Sequence, residues 1–253
     1  MSMPERAARA YSFGEIADEY DRYRPGPPVE AAHWVLGQGR ERVIDLGAGT
    51  GGLTRRLVTL ADRVIAVEPD TRMRGVLADR SGGAAVVGAV GERLPFADRS
   101  VDGVVASSSW HWMDPAVAAA EVARVLRPGG VFGLLWSGPD RSVPWVADVL
   151  GHRRVRGAGD PDSLGHRRRR TMVLPAAVPF GTRETTVIRF TTPVDLDDLG
   201  GLSGTFSVVI LGGGPERDAR IRAVRERART HPEVGDGPVD LPMVCRCWRT
   251  ARV

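Results

Sequence analysis

Val43-Ile44-Asp45-Leu46-Gly47-Ala48-Gly49-Thr50-Gly51-Gly52 starts as a β-prone apolar run, breaks into glycines, and passes into Leu53, Leu57 and Leu60 at helical spacing. A strand that turns through glycines into a helix is the ligand-binding turn of open α/β sheets. Glycine admits close backbone approach there, and a helix start favours an anion. Two spacings fit the glycines. Gly47, Gly49 and Gly52 satisfy G-x-G-x-x-G, with Glu68 placed 19 residues after Gly49 to take a ribose diol. Asp45, Gly47, Gly49 and Gly51 also satisfy D-x-G-x-G-x-G. Asp45 decides between them. A pyrophosphate would set two negative charges against this carboxylate. An amino-acid end instead offers an ammonium to the acid and a carboxylate to the helix start.

Outward from this turn, β-prone runs recur at 42–46, 63–68, 84–90, 101–107 and 130–136, separated by segments of helical period. Ala118, Val122 and Val125 form one such stripe, with Asp114 as N-cap, Pro115 at the first helical position and Arg127-Pro128-Gly129-Gly130 as a stop. Strands alternating with helices predict a parallel sheet covered on both faces, and right-handed crossovers make it doubly wound and Rossmann-like. After Trp136 the rhythm breaks. Residues 138–182 are irregular around an apolar patch at 145–150. A strand-like run at 184–192, a Gly-rich stretch, a charged helix at 215–230 and an alternating run at 239–248 follow. The expected fold is one α/β domain over 1–253 with a mostly parallel seven-stranded sheet. It divides into an N-terminal cap (1–40), a cofactor-binding core (41–138) and a lid with the final strands (139–253).

The 253 residues hold 35 basic side chains, all Arg and none Lys, against 31 acidic ones, for a net charge of +4. The excess is local: 151–170 carries seven Arg and two Asp, leaving the rest of the chain at −1. A nucleic-acid protein would spread basic charge over a face, so nucleic acid is not an expected partner. No apolar run approaches the roughly 20 residues of a membrane span, and the start of the chain has no apolar leader region, so a cytoplasmic protein is expected. Cys245 and Cys247, two apart on a late strand, read as apolar fillers; two thiols make no four-ligand zinc site, and no metal is expected.

A ribose acid, a glycine turn and an amino-acid end favour S-adenosylmethionine over NAD. The sequence resembles the class I S-adenosylmethionine-dependent methyltransferases, in particular the small-molecule enzymes labelled type 11. The matching pieces are Tyr20-Asp21-Arg22-Tyr23-Arg24-Pro25, Asp45 to Gly51 and Val67-Glu68-Pro69-Asp70. They continue with Leu94-Pro95-Phe96 followed by Asp98, Ser100 and Asp102, and with Arg124-Val125-Leu126-Arg127-Pro128-Gly129-Gly130. The resemblance runs from about 13 to 138 and returns weakly at 241–248.

The resemblance implies that Glu68 takes both ribose hydroxyls, with Pro69 beside it. Gly47, Gly49 and Gly51 would bring backbone N–H groups to the methionyl part, where Asp45 and Ser107 also face. Tyr23 and Arg24, in an N-terminal cluster with Tyr11, Phe13 and Tyr20, would close over the cofactor or form an amphipathic helix on the sheet. Val90 stands where relatives often carry an Asp that reads the adenine amino group, which moves that contact to the Gly91 backbone or to Glu92.

Methyl transfer from a sulfonium needs positioning and water exclusion, and sometimes a base. In Ser107-Ser108-Ser109-Trp110-His111-Trp112, His111 is either that base or a wall residue between Trp110 and Trp112. His152, Arg153, Arg154, Arg156 and the run from His166 to Arg170 either anchor an anionic small-molecule substrate or form a solvated loop. Two other functions compete with methyl transfer: a non-catalytic S-adenosylmethionine-binding protein, and an NAD(P)-dependent oxidoreductase. For the oxidoreductase, the absence of lysine excludes a Tyr-Lys pair.

Overall fold

The computed structural model describes residues 11–151 and 174–253. Strand β1 (Arg40–Leu46) leads into the glycine turn, and Val43, Ile44, Asp45 and Leu46 are all buried, as befits a strand covered on both faces. Around it a seven-stranded sheet runs in the order β3-β2-β1-β4-β5-β7-β6. It comprises β2 (Ala61–Val67), β3 (Ala85–Val87), β4 (Val101–Ser107), β5 (Leu126–Pro139), β6 (Glu184–Val194) and β7 (Val239–Ala251). Strands β1 to β5 pair in parallel, and β7 inserts antiparallel between β5 and β6. The chain reverses its winding between β1 and β4, the switch point beside which open α/β sheets bind ligands.

The helices are α1 (Ala17–Tyr23), α2 (Val29–Leu36), α3 (Thr54–Leu57), α4 (Thr71–Arg80), α5 (Pro115–Val125), α6 (Pro144–Leu150), α7 (Leu196–Gly204), α8 (Ser207–Ile210) and α9 (Gly214–Thr230). On one face Ala118, Val122 and Val125 of α5 pack on Ile44, Val104 and Phe132; on the other Ala31, Ala32, Val35 and Leu36 of α2 pack on Val43, Val105 and Val131. A third cluster is built from α6, α7, α9, the end of β6 and the start of β7. Helix α5 begins as its sequence dictates, with Asp114 Oδ1 accepting from the N–H groups of Ala116 (2.9 Å) and Val117 (3.2 Å).

Two pieces of the resemblance meet in one latch. Arg124 donates to the carbonyls of Leu94 and Phe96 and to Asp98, while Glu121 accepts from Leu94 N–H at 2.9 Å. Leu94-Pro95-Phe96 is thereby tied to α5. Asp102, the second residue of β4, adds to this end of the strand, accepting from Arg42 N–H (2.9 Å) and Arg127 (2.8 Å).

Three expectations are corrected. The helix after the glycines spans only Thr54–Leu57, because β2 already begins at Ala61. β5 starts directly after α5 at Leu126, ahead of the expected 130. The Gly-rich stretch forms α7, started by a capping box in which Asp195 and Asp198 each accept from the other's backbone N–H.

Candidate functional site

Gly47, Gly49 and Gly51 have φ of 68°, 58° and 92°, the left-handed region in which a side chain is strained. Gly47 is also pressed on β4's end: a Cβ there would stand 2.6 Å from Ser109 Cβ. Ser109 holds that approach, donating its hydroxyl to the Leu46 carbonyl at 2.6 Å. The three amides donate inside the protein: Gly47 N–H to Val67 O (2.8 Å), Gly49 N–H to Glu68 Oε2 (2.8 Å) and Gly51 N–H to Ala48 O (3.0 Å). The expectation that these N–H groups face a ligand is revised. Of the three, Gly49 presents an open Cα face, where a Cβ would meet no protein atom within 4 Å; at Gly47 and Gly51 it would strike Ser109 and Leu77.

Glu68 leaves β2 at the same edge. Its Oε1 accepts from Asp70 N–H at 2.9 Å, and the neighbouring Pro69 carbonyl accepts from Arg74 at 2.6 Å. Burial raises the Glu68 carboxyl above its usual range, against the pull of the Asp70 and Gly49 amides. Asp45 is completely buried, and its Oδ2 accepts from Thr54 Oγ1 at 2.6 Å. Its Oδ1 is buried without a hydrogen-bond partner among the described residues. Burial, reinforced by the nearby Glu68 charge, pushes the Asp45 carboxyl up to about 7.

Ser107 ends β4 opposite Leu135, and the next residue, Ser108, holds φ of 55° while donating its N–H to Leu135 O at 2.9 Å. A non-glycine residue in this region at a strand end marks a place where backbone strain is held by its surroundings. His111 lies against two tilted indoles, Trp112 (centroids 4.2 Å apart) and Trp136 of β5 (4.9 Å), rather than between Trp110 and Trp112. Trp110 instead lies in the core against Phe132, at 5.0 Å. Gly91 packs on Met113, whose Sδ would stand 2.5 Å from a Cβ, and Glu92 accepts from Asp114 N–H at 2.7 Å, adding to the start of α5. Half of the Glu92 carboxylate is thus committed to the fold.

The N-terminal segment does cover this edge. Asp21 pairs with Arg55 (3.1 Å) and Arg80, and Gly26 lies against the Gly52 backbone. Phe13 contacts Tyr20 (5.7 Å) and Trp112 (5.8 Å) edge to face. Tyr23 and Arg24, expected at the cofactor, pack against α7 and Phe206. The Tyr23 ring lies 2.5 Å from where a Gly201 Cβ would be, and the Arg24 guanidinium stands 5.2 Å from the centroid of Phe206. The expected anion anchors at 152–156 and 166–170 lie outside the described residues. Thr54, Ser109, Trp136 and Phe206 escaped the sequence reading. Thr54 alone left a signal there, as a hydroxyl nine residues after a strand-end acid.

Residues 44–134 match the family model described as a methyltransferase domain. An uncharacterized methyltransferase of Mycobacterium tuberculosis is 38% identical over 248 residues, covering 96% of this chain and 97% of the relative. A methyltransferase-like protein of Schizosaccharomyces pombe is 27% identical over 225 residues, covering 87% and 86%. Among solved structures, a type II methyltransferase from Anaeromyxobacter dehalogenans superposes with a TM-score of 0.64 at 25% identity, covering 91% of this chain and 98% of that one. With that coverage and identity, and with this turn at the switch point, the chain belongs to the S-adenosylmethionine-dependent methyltransferases.

Proposed function

We propose that the chain transfers a methyl group to a small-molecule acceptor in the crevice between the glycine turn and the lid. The observation that carries this reading is the open Cα face of Gly49 flanked by the Glu68 carboxylate and the unpartnered Asp45 Oδ1. That donor set fits S-adenosylmethionine: Glu68 for the ribose, Asp45 for the ammonium, Ser107 and the Gly49 face for the methionyl chain, and the Gly91 backbone for the adenine. When bound, the cofactor supplies an electrophilic methyl on a good leaving group. The chain's own task is to orient the acceptor and exclude water, which the Phe13, Trp112, His111 and Trp136 rings support. All seven strands share one sheet, which supports a single domain over the whole length. Among the described residues no helix is long and apolar enough to cross a membrane. Two unpaired, buried thiols suit the reducing cytoplasm where we place the protein. S-adenosylhomocysteine raising the melting temperature where NAD does not, followed by turnover over an acceptor panel, tests the reading. Stabilisation by NAD alone would overturn it.

Asp45 makes cofactor affinity depend on pH. With its carboxyl up at about 7 in the fold, against 3.8 ordinarily, its contribution to stability is fully present below about 4 and is lost as pH rises through 7. A ligand ammonium reverses the preference and favours the carboxylate. Affinity for S-adenosylhomocysteine is therefore expected to climb by up to about tenfold per pH unit from 5.5 to 7, with close to one proton released. Calorimetry at pH 6 in two buffers of different ionisation heat measures that release. Asp45→Asn should bind more weakly and lose the slope, and a flat wild-type profile would remove Asp45 from the ammonium.

His111, set against two indoles, is assigned to the pocket wall. His111→Ala is expected to raise the acceptor KM about tenfold with kcat little changed, and His111→Gln to restore most of it by refilling the volume. A kcat loss of ~10²–10⁴ together with loss of the acidic limb of the pH–rate profile would make it a base instead.

A further inference from the structure

Thr54 is the first residue of α3 and lies against the glycine turn: a Cβ on Gly51 would stand 3.7 Å from the Thr54 Cβ. A threonine in a helix ordinarily returns its hydroxyl to a carbonyl three or four residues back. Here the Thr50 carbonyl takes Arg55 instead, at 3.0 Å, and the Thr54 hydroxyl leaves its helix to donate to Asp45 Oδ2 at 2.6 Å. That length is the one found for a hydroxyl on an ionised carboxylate. Both residues are 0% exposed, so the bond is closed to bulk water.

The bond divides the carboxylate in two. Oδ2 is held by Thr54, and Oδ1 has no hydrogen-bond partner among the described residues. Burial is what most disfavours charge on Asp45, and the Thr54 hydroxyl is what most favours it; Glu68 adds to the first and the Thr54 N–H to the second. The other charges nearby are turned elsewhere. On α3, Arg55 goes to the Thr50 carbonyl and Asp21, and Arg56 to the Pro27 carbonyl. Beyond β2, Asp70 caps α4 and pairs with Arg72, while Arg74 holds the Glu68 and Pro69 carbonyls. The neighbouring strands β2 and β4 set Ala66 and Val105 beside Asp45.

We propose that Thr54 is a positioning residue for cofactor binding: its hydroxyl fixes Asp45 by one oxygen and favours its ionised form, so that the other oxygen meets the ammonium of S-adenosylmethionine. This rests on the reading of Asp45 as the partner of that ammonium. A buried carboxylate without a donor takes up a proton and is free to turn about its own bonds. Thr54, from the helix that follows the turn, restrains both the charge and the rotation. A hydroxyl is suited to this because it adds no charge to compete with the ammonium.

The test follows the affinity of the full chain for S-adenosylhomocysteine by calorimetry from pH 5.5 to 8. Wild type is compared with Thr54→Val, Thr54→Ser, Asp45→Asn and the double variant Asp45→Asn with Thr54→Val. Thr54→Val keeps the branched shape and removes the donor. The rise of affinity with pH, centred near 7 in wild type, is expected to move up by about one unit, the worth of one charge-assisted bond. That variant then binds about tenfold more weakly at pH 6 and only about twofold more weakly at pH 8. Thr54→Ser, which keeps the hydroxyl and loses a methyl, should follow the wild-type profile even where its melting temperature falls. In the Asp45→Asn background the valine should change affinity by less than about twofold at any pH. A Thr54→Val profile equal to wild type, or lowered by the same factor at every pH, overturns the proposal, as does a valine effect undiminished in the Asp45→Asn background. If Thr54→Val does not fold, Thr54→Ala, which removes the same donor, carries the comparison. A flat profile in wild type itself would instead overturn the reading of Asp45 on which the proposal rests.

Discussion

Glu68→Ala is expected to bind S-adenosylhomocysteine about a hundredfold more weakly than wild type. A carboxylate that takes both hydroxyls of a ribose makes two charge-assisted bonds. Together these are worth roughly 3 kcal/mol after desolvation, which is that factor in the dissociation constant. The two backbone bonds already on this carboxylate, from Gly49 at 2.8 Å and Asp70 at 2.9 Å, do not block the role. Each oxygen has about two acceptor sites, so one remains on each for a hydroxyl, and the two amides aim the carboxylate. The same bonds mean the variant also loosens the turn. Removing a buried carboxylate whose charge the site disfavours offsets part of that loss, so the melting temperature should fall only slightly. Glu68→Gln, which keeps the shape and one acceptor oxygen, should lie between the two in affinity. Calorimetry decides it, and an alanine variant binding as tightly as wild type takes the ribose away from Glu68.

What the sequence disclosed and what it withheld divide along contact range. Asp45, the glycines and Glu68 are legible because a strand, a tight turn and a ribose acid leave their marks within 25 or so residues of chain. The strand rhythm and the cap of α5 are local in the same way, and Asp114-Pro115 names its own helix start. The partners of those residues are not local. Sheet order brings β4 beside β1, and only then does Ser109 reach the Leu46 carbonyl, 63 residues back. Trp136 belongs to β5 and meets His111 only through the parallel pairing of β4 with β5, so the flanking Trp110 and Trp112 were the visible candidates. Helix α7 was hidden by its glycines, which weaken helix propensity. Packing requires two of them: a Cβ on Gly201 would strike Tyr23, and one on Gly204 would meet Ile221 at 2.8 Å. Arg24 lies in a stretch whose resemblance points toward the cofactor. Its ring neighbour Phe206 comes from the region where resemblance is poorest, so that contact needed the fold to be seen.

Gly49→Val should leave a folded protein that binds S-adenosylhomocysteine about a thousandfold more weakly than wild type. The argument separates two effects. At φ of 58° a β-branched side chain strains the backbone by roughly 2 kcal/mol, which for a chain of this size lowers the melting temperature by about 4–8 °C. The protein itself offers no obstacle, since a Cβ there meets no atom within 4 Å. On the proposed reading, the space it would enter is the cofactor's, beside the Glu68 carboxylate that Gly49 N–H holds. Filling it adds overlap of ~1–3 kcal/mol and draws Glu68, through the Gly49 amide, away from the ribose. The combined loss should reach about 4 kcal/mol, or ~10³ in affinity. Gly39→Ala supplies the control: its φ of 69° and open surroundings match, but it precedes β1 at the opposite end of the sheet. That variant should show a lowered melting temperature with unchanged affinity. If Gly49→Val also keeps its affinity while paying the same strain, the glycine turn does not hold the cofactor.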